Sequence, residues 1–133
     1  MIFNPEESID FHGFTGPFVQ YTYARIRSIL RKESPDEQKP VSDTLLKLEK
    51  DILHKLEQFP AVIAQAASEL NPSEIANYVF HVAKAFNTFY AEHSVANAES
   101  EEKKQLRLRL SVMTSNVLKT GMHLLGIEVP ERM

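Results

Sequence analysis

The 133-residue chain has no cysteine, which removes both a disulfide framework and any zinc site built on thiolates. Its four glycines are scattered at Gly13, Gly16, Gly121 and Gly126, and none belongs to a phosphate-cradling loop or a dinucleotide fingerprint. No apolar run approaches the roughly 18 residues that span a bilayer. The N-terminus also lacks a basic start followed by an apolar stretch. Val/Ile alternation of the strand type is missing as well. His12, His81, His93 and His123 stand without a partner set that would activate a nucleophile. His54 and Glu57 form one isolated i, i+3 pair, short of the inward carboxylates of a metal-binding bundle. The expectations are a cytoplasmic protein without membrane contact, and a chain with no catalytic residues, no metal and no cofactor of its own.

What is present is a globular composition, 43% hydrophobic and 25% charged, enough for one compact core at this length. The net charge of -3 hides an uneven distribution. Residues 17–32 hold Arg25, Arg27, Arg31 and Lys32 and not one acid, for +4, while residues 61–102 come to -5. Residues 103–133 return to +4 through Lys103, Lys104, Arg107, Arg109, Lys119 and Arg132 against Glu128 and Glu131. Two basic segments on an acidic body suit either a face that meets a polyanion or the solvated faces of bundled helices.

Helical periodicity runs through the chain. The first helix is expected from about Pro17 to Lys32, with Gly16 as cap and Phe18, Thr22, Ile26, Ile29 and Leu30 on its apolar stripe. Ser42 is placed to cap a second helix with the stripe Leu45, Leu48, Ile52, Leu56 and Phe59, ended by Pro60. A third uses Val62, Ile63, Ala66, Ala67 and Leu70. Asn71-Pro72-Ser73-Glu74 is a helix start with a capping box, leading into Ile75, Val79, Val82, Ala83, Phe86 and Tyr90. The last helix carries Leu106, Leu110, Met113, Val117 and Leu124, with Gly126 as its left-handed terminator. Each stripe needs another helix to cover it, so the expected fold is all-α: a bundle of about five helices over residues 15–133. Residues 1–14 form an irregular lead-in.

Three stretches carry a resemblance. "GFTGPFVQYTYARIRSILRK" resembles the segment leading into the C-terminal helical domain of bacterial arginyl-tRNA synthetases. "AKAFNTFYAEHSV" resembles that family's aromatic helix end, and "VLKTGMHLLGIEVPERM" its closing helix and tail. The three occur in order across essentially the whole chain. The resemblance implies the anticodon-binding domain called the DALR domain, although the tetrapeptide Asp-Ala-Leu-Arg is absent and the nearest stretch is "QLRLRL". The H-I-G-H and K-M-S-K signatures of that family's catalytic domain are also absent. The chain is therefore expected to be a non-catalytic fragment, with residues 1–14 as a connector. The parent enzyme would use ATP and Mg²⁺ to ligate arginine to tRNA(Arg). The implied partners are the anticodon loop of that tRNA and the parent's own catalytic domain, and not DNA. A helical protein-interaction module without RNA binding is the competing reading, supported by the acidic middle of the chain.

On a helical wheel the pairs Tyr21/Arg25 and Tyr23/Arg27 are i, i+4 neighbours on opposite flanks of the first helix. An aromatic face beside a guanidinium suits unstacked bases of single-stranded RNA. One loop of RNA cannot meet both flanks, so one pair is expected to bind it and the other to contact the catalytic domain. Which does which stays open. Gln20 is a candidate reader of a base edge. The resemblance adds Tyr90, His93, Arg132 and Met133 around the pocket for an anticodon base. Lys103, Lys104, Arg107 and Arg109 are expected near phosphates or in solvent.

Overall fold

The computed structural model describes residues 16–95 and 97–132; the connector expected over residues 1–14 lies outside them. Among the described residues there are five helices and no strand: α1 (Gly16–Lys32), α2 (Lys47–Glu57), α3 (Phe59–Glu69), α4 (Ser73–Glu92) and α5 (Glu101–Leu124). The two longest form the centre. α4 packs against all four other helices, and α5 against α1, α2 and α4. Val19, Ile26, Val79, Ala83, Phe86, Phe89, Leu108, Leu118 and Met122 are fully buried between them.

Most of the stripe expected on each of α1 and α4 is buried, with Val19, Tyr23 and Ala24 added on α1; Phe18 and Ile29 are half-buried and Tyr90 is exposed. Thr22 fits in the core because its hydroxyl donates to the Phe18 carbonyl at 2.9 Å. Helix boundaries differ more. α2 begins at Lys47 rather than near Ser42, because Ser42 Oγ closes a local turn by accepting from the Thr44 N–H at 3.2 Å. Glu49 instead reaches back to the Leu46 N–H at 2.8 Å. Phe59 opens α3 instead of closing α2, and Pro60 lies in its first turn, where a missing N–H costs nothing. Leu70, expected on the α3 stripe, ends that helix in the left-handed region at φ 52 and is 88% exposed. Asn71 Oδ1 accepts from the Ser73 N–H at 3.1 Å. Glu74 does not complete the box; it faces Glu69, whose hydrogen bond raises its carboxyl pKa.

α5 departs furthest from its pattern. Met113 and Leu124 are exposed, whereas Leu108, Leu118 and Met122 are in the core beside Ser111, Thr114 and Ser115. The three hydroxyls are satisfied within the helix, donating to the carbonyls of Arg107, Leu110 and Val112 at 2.8, 2.7 and 2.8 Å. Small side chains let α5 approach α4 closely, and a Cβ at Gly121 would clash with Val79 Cγ1. Gly126 takes φ 78 just past the helix, as expected.

Four basic residues of α5 make contacts within the fold. Arg107 is fully buried. Its Nε donates to Glu49 Oε2 at 2.8 Å, Nη1 to the Ser94 carbonyl at 2.7 Å, and Nη2 to Glu99 at 2.8 Å. Lys103 Nζ reaches Glu49 Oε1 at 2.7 Å. Lys104 pairs with Glu33. Arg109 donates to the carbonyls of Asp36, Glu37 and Lys39 at 3.2–3.4 Å and so pins the loop between α1 and α2. Burial pushes the Glu49 carboxyl up, but the hydrogen bonds from Lys103, Arg107 and the Leu46 amide outweigh it and hold it below the usual range.

Replacing Glu49 by Gln removes the buried one of the two carboxylates that face Arg107, and the carboxylate paired with Lys103, and is expected to cost about 3 kcal/mol in urea denaturation. The double change Glu49→Leu/Arg107→Met should recover part of that loss, since it removes both buried members together and leaves Glu99 in water and Lys103 on the Thr44 carbonyl. Because the folded pKa of Glu49 is depressed, its contribution is complete above its unfolded pKa and is lost as pH falls through the folded one. E49Q should therefore flatten the acid limb of the stability profile. At Gly121, alanine gains about 1 kcal/mol of helix propensity but overpacks against Val79 at about 1–3 kcal/mol. G121A should lower the Tm in the native background and not in V79A; a higher Tm for G121A alone would refute the close contact.

Candidate nucleic-acid interface

The two flanks of α1 meet different surroundings. On one, Tyr21 and Arg25 face the end of α4. The Arg25 guanidinium carbon lies 5.0 Å from the centroid of the Tyr21 ring and 5.0 Å from that of Tyr90, close enough for both rings to attract the cation. Tyr90 in turn stacks on the buried Phe86, with centroids 6.1 Å apart and planes 16° from parallel. A column runs from the core to the surface in the order Phe86, Tyr90, Arg25, Tyr21. Arg25 Nη2 donates to the Tyr21 hydroxyl at 2.9 Å, and Nη1 to Asn87 Oδ1 at 2.6 Å. Tyr21 and Tyr90 remain 45% and 37% exposed, enough surface for a further planar group.

This column forms one side of a groove of about 1010 Å³ between α1 and the turn that follows α4. His93 sits at the end of α4 with its ring 5.8 Å from that of Phe89, and it lines the groove with Arg31, Lys32 and Arg132. Tyr21, Arg25, Tyr90, His93 and Arg132 are thus brought together. Met133 lies outside the described residues.

The other flank is occupied by the chain's own tail. Tyr23 is 3% exposed, which leaves no ring face for a base, and its hydroxyl donates to Glu131 Oε1 at 3.2 Å. Arg27 Nε reaches Glu131 Oε2 at 3.0 Å, and Arg31 donates to the Glu131 carbonyl at 3.1 Å. Gln20 Nε2 donates to the Glu128 carbonyl at 2.9 Å, so the amide expected to read a base edge fastens the tail instead. The hydrogen bond from Arg27 holds the Glu131 carboxyl below the usual range, against the opposing effect of burial. Burial first, then the neighbouring Glu131, raises the Tyr23 phenol pKa. Fixing residue 131 across α1 leaves Arg132 at the groove.

The sequence reading did not single out Asn87, Glu128 or Glu131, nor Arg31 and Lys32 as part of a groove. Their roles depend on partners 62 to 108 residues away, and no local spacing encodes those. Among the described residues no group of three or more His, Asp or Glu side chains is placed to hold a metal ion. No helix of these residues is long and apolar enough to cross a membrane.

Glu131→Ala should release the tail while changing global stability by less than about 1 kcal/mol, since exposed pairs contribute little. The expected readout is faster amide exchange of the tail with an unchanged core. In the native chain the same release should appear as pH falls through the depressed pKa of Glu131. Equal tail protection in E131A and wild type would contradict the clasp.

Comparison with known proteins bears on what such a groove is for. A family model described as the DALR anticodon binding domain matches residues 19–133. The arginine--tRNA ligase of Flavobacterium psychrophilum is 48% identical over 133 residues, all of this chain and 22% of that protein. The Bacteroides fragilis ligase is 47% identical over 138 residues, all of this chain and 23% of its own length. Among solved structures, the Thermus thermophilus arginyl-tRNA synthetase superposes with a TM-score of 0.84 at 34% identity, over 98% of this chain and 23% of that one. The chain therefore spans less than a quarter of the curated relatives it matches. With a family match over nearly its whole length and the same helical fold, the chain belongs to the DALR anticodon binding domain family.

Proposed function

We propose that the groove between α1 and the end of α4 binds the anticodon loop of tRNA(Arg). In this reading the chain is the RNA-reading part of an enzyme that ligates arginine to that tRNA. The observation that carries it is the Tyr21–Arg25–Tyr90 stack, open to solvent beside His93 and Arg132. Each exposed ring offers a face on which an unpaired base gains roughly 1–3 kcal/mol by stacking, while the cations meet the backbone phosphates. Tyr23, Arg27 and Gln20 act indirectly, by holding the tail. The groove binds and does not react. Cofactor chemistry belongs to the parent's catalytic domain, which would use ATP and Mg²⁺; this chain has none of its own. Correct docking of the loop raises the fraction of cognate tRNA held productively in that domain, a partner the same reading implies, and the setting is the cytoplasm.

The test is a fluorescence titration of the chain with the anticodon stem-loop of an arginine tRNA, beside one altered only at its central anticodon base. The expected result is tighter binding of the cognate loop, with an affinity that falls as salt rises, since phosphate contacts release counterions. Tyr21→Ala and Tyr90→Ala should each weaken it by about tenfold, the lower part of the range for a lost stacking partner. Identical titrations for both loops would refute anticodon reading by this chain.

A further inference from the structure

Arg25 alone does not account for its own geometry. A long, hydrated side chain stacked between two partly exposed rings has many other rotamers, and cation–π attraction at an exposed site is only modestly favourable. What singles out one orientation is Asn87, which projects from α4 beneath the stack. Its Oδ1 accepts from Arg25 Nη1 at 2.6 Å. Its Nδ2 donates to Thr22 Oγ1 at 2.7 Å and to the Ala83 carbonyl at 2.9 Å. A carbonyl can only accept, so the amide is fixed with its nitrogen towards Ala83 and its oxygen towards the arginine. Thr22 adds a second restraint: its hydroxyl proton goes to the Phe18 carbonyl, leaving the oxygen lone pairs for Asn87. The relay runs from the α1 backbone through Thr22 and Asn87 to Arg25, and none of its buried side-chain polar atoms is left without a partner.

We infer that Asn87 is a positioning residue for ligand binding in this groove: it locks the Arg25 guanidinium between Tyr21 and Tyr90 before any ligand arrives. The inference rests on the reading of the groove as an RNA site. Two guanidinium N–H groups are committed to Asn87 and Tyr21, and the others keep their full donor capacity for a phosphate or a base acceptor. Ordering the side chain within the fold removes a rotamer cost that binding would otherwise carry. Asn87 itself need not touch the ligand. Its effect passes through Arg25, and this separates a positioning residue from one that merely supports the helix packing.

A double-mutant cycle on the chain tests the point, with anticodon stem-loop affinity and side-chain NMR of the free protein as readouts. Asn87→Ala should weaken binding about five- to tenfold when Arg25 is present, and by less than about twofold in the R25A background, because residues acting as one unit are not additive. In the free protein, N87A should also move the Arg25 Hε resonance and Tyr21 ring signals towards averaged values, while the methyl signals of Val79 and Leu118 in the core stay in place. If R25A weakens binding but N87A does not, or if N87A weakens it equally in both backgrounds, the positioning role is overturned while the RNA reading stands. If R25A binds the loop as tightly as wild type, both the role and the reading of this flank fall.

Discussion

The buried carboxylate of Glu49 is the contact on which the shape of the groove depends. Taking a charge out of water costs several kcal/mol, and here the cost is offset only because Arg107, Lys103 and the Leu46 amide converge on it. Arg107 carries the restraint onward. Its remaining nitrogens hold the Ser94 carbonyl and Glu99, which fixes the turn leaving α4, the turn that supplies His93 and the buried Val95. A surface feature made of tyrosines and arginines therefore takes its geometry from an ion pair in the interior, on different helices.

α1 shows how one helix can serve two ends without compromise. Its apolar face is clamped by α4 and α5, and its flanks lie far enough apart to meet unrelated groups. One keeps its rings partly exposed over the groove, and the other is closed by residues 128–131. The closed flank still bears on the open one, since the clasp on Glu131 leaves Arg132 lining the groove. Each interaction on this surface is weak alone; together they fix the relative positions of α1, the α4 end and the tail.

Much of this was legible from the sequence and some was not, for physical reasons. α1 and α4 bury large aliphatic and aromatic residues at helical spacing, so their core faces and the division of Tyr21/Arg25 from Tyr23/Arg27 follow from periodicity. α5 misleads because its buried face holds Ser111, Thr114, Ser115 and, against Val79, Gly121, and these residues do not stand out as a hydrophobic stripe. Arg107 reads as a surface cation because the buried carboxylate that faces it lies 58 residues away. The start of α2 was misplaced for a local reason, the preference of Ser42 for a turn with Thr44. Gln20 and Tyr23 have the chemistry of contact residues, and their hydrogen bonds to the tail depend on where residues 128 and 131 come to lie.

The fate of the second basic segment has a consequence for how a charged ligand approaches. Lys103, Lys104 and Arg107 are matched by Glu49, Glu33 and Glu99, so those three cations add little to the external field. Arg25, by contrast, is held by a neutral amide and a neutral phenol, and its charge is left uncompensated by those partners. What remains is a lopsided potential: an acidic body with a positive edge along the C-terminal half of α1. Such a field turns an incoming polyanion before contact and raises the share of encounters that begin in the right orientation. The ion pairs of α5 thereby influence the rate of association from a distance, by removing three cations from the field on that side.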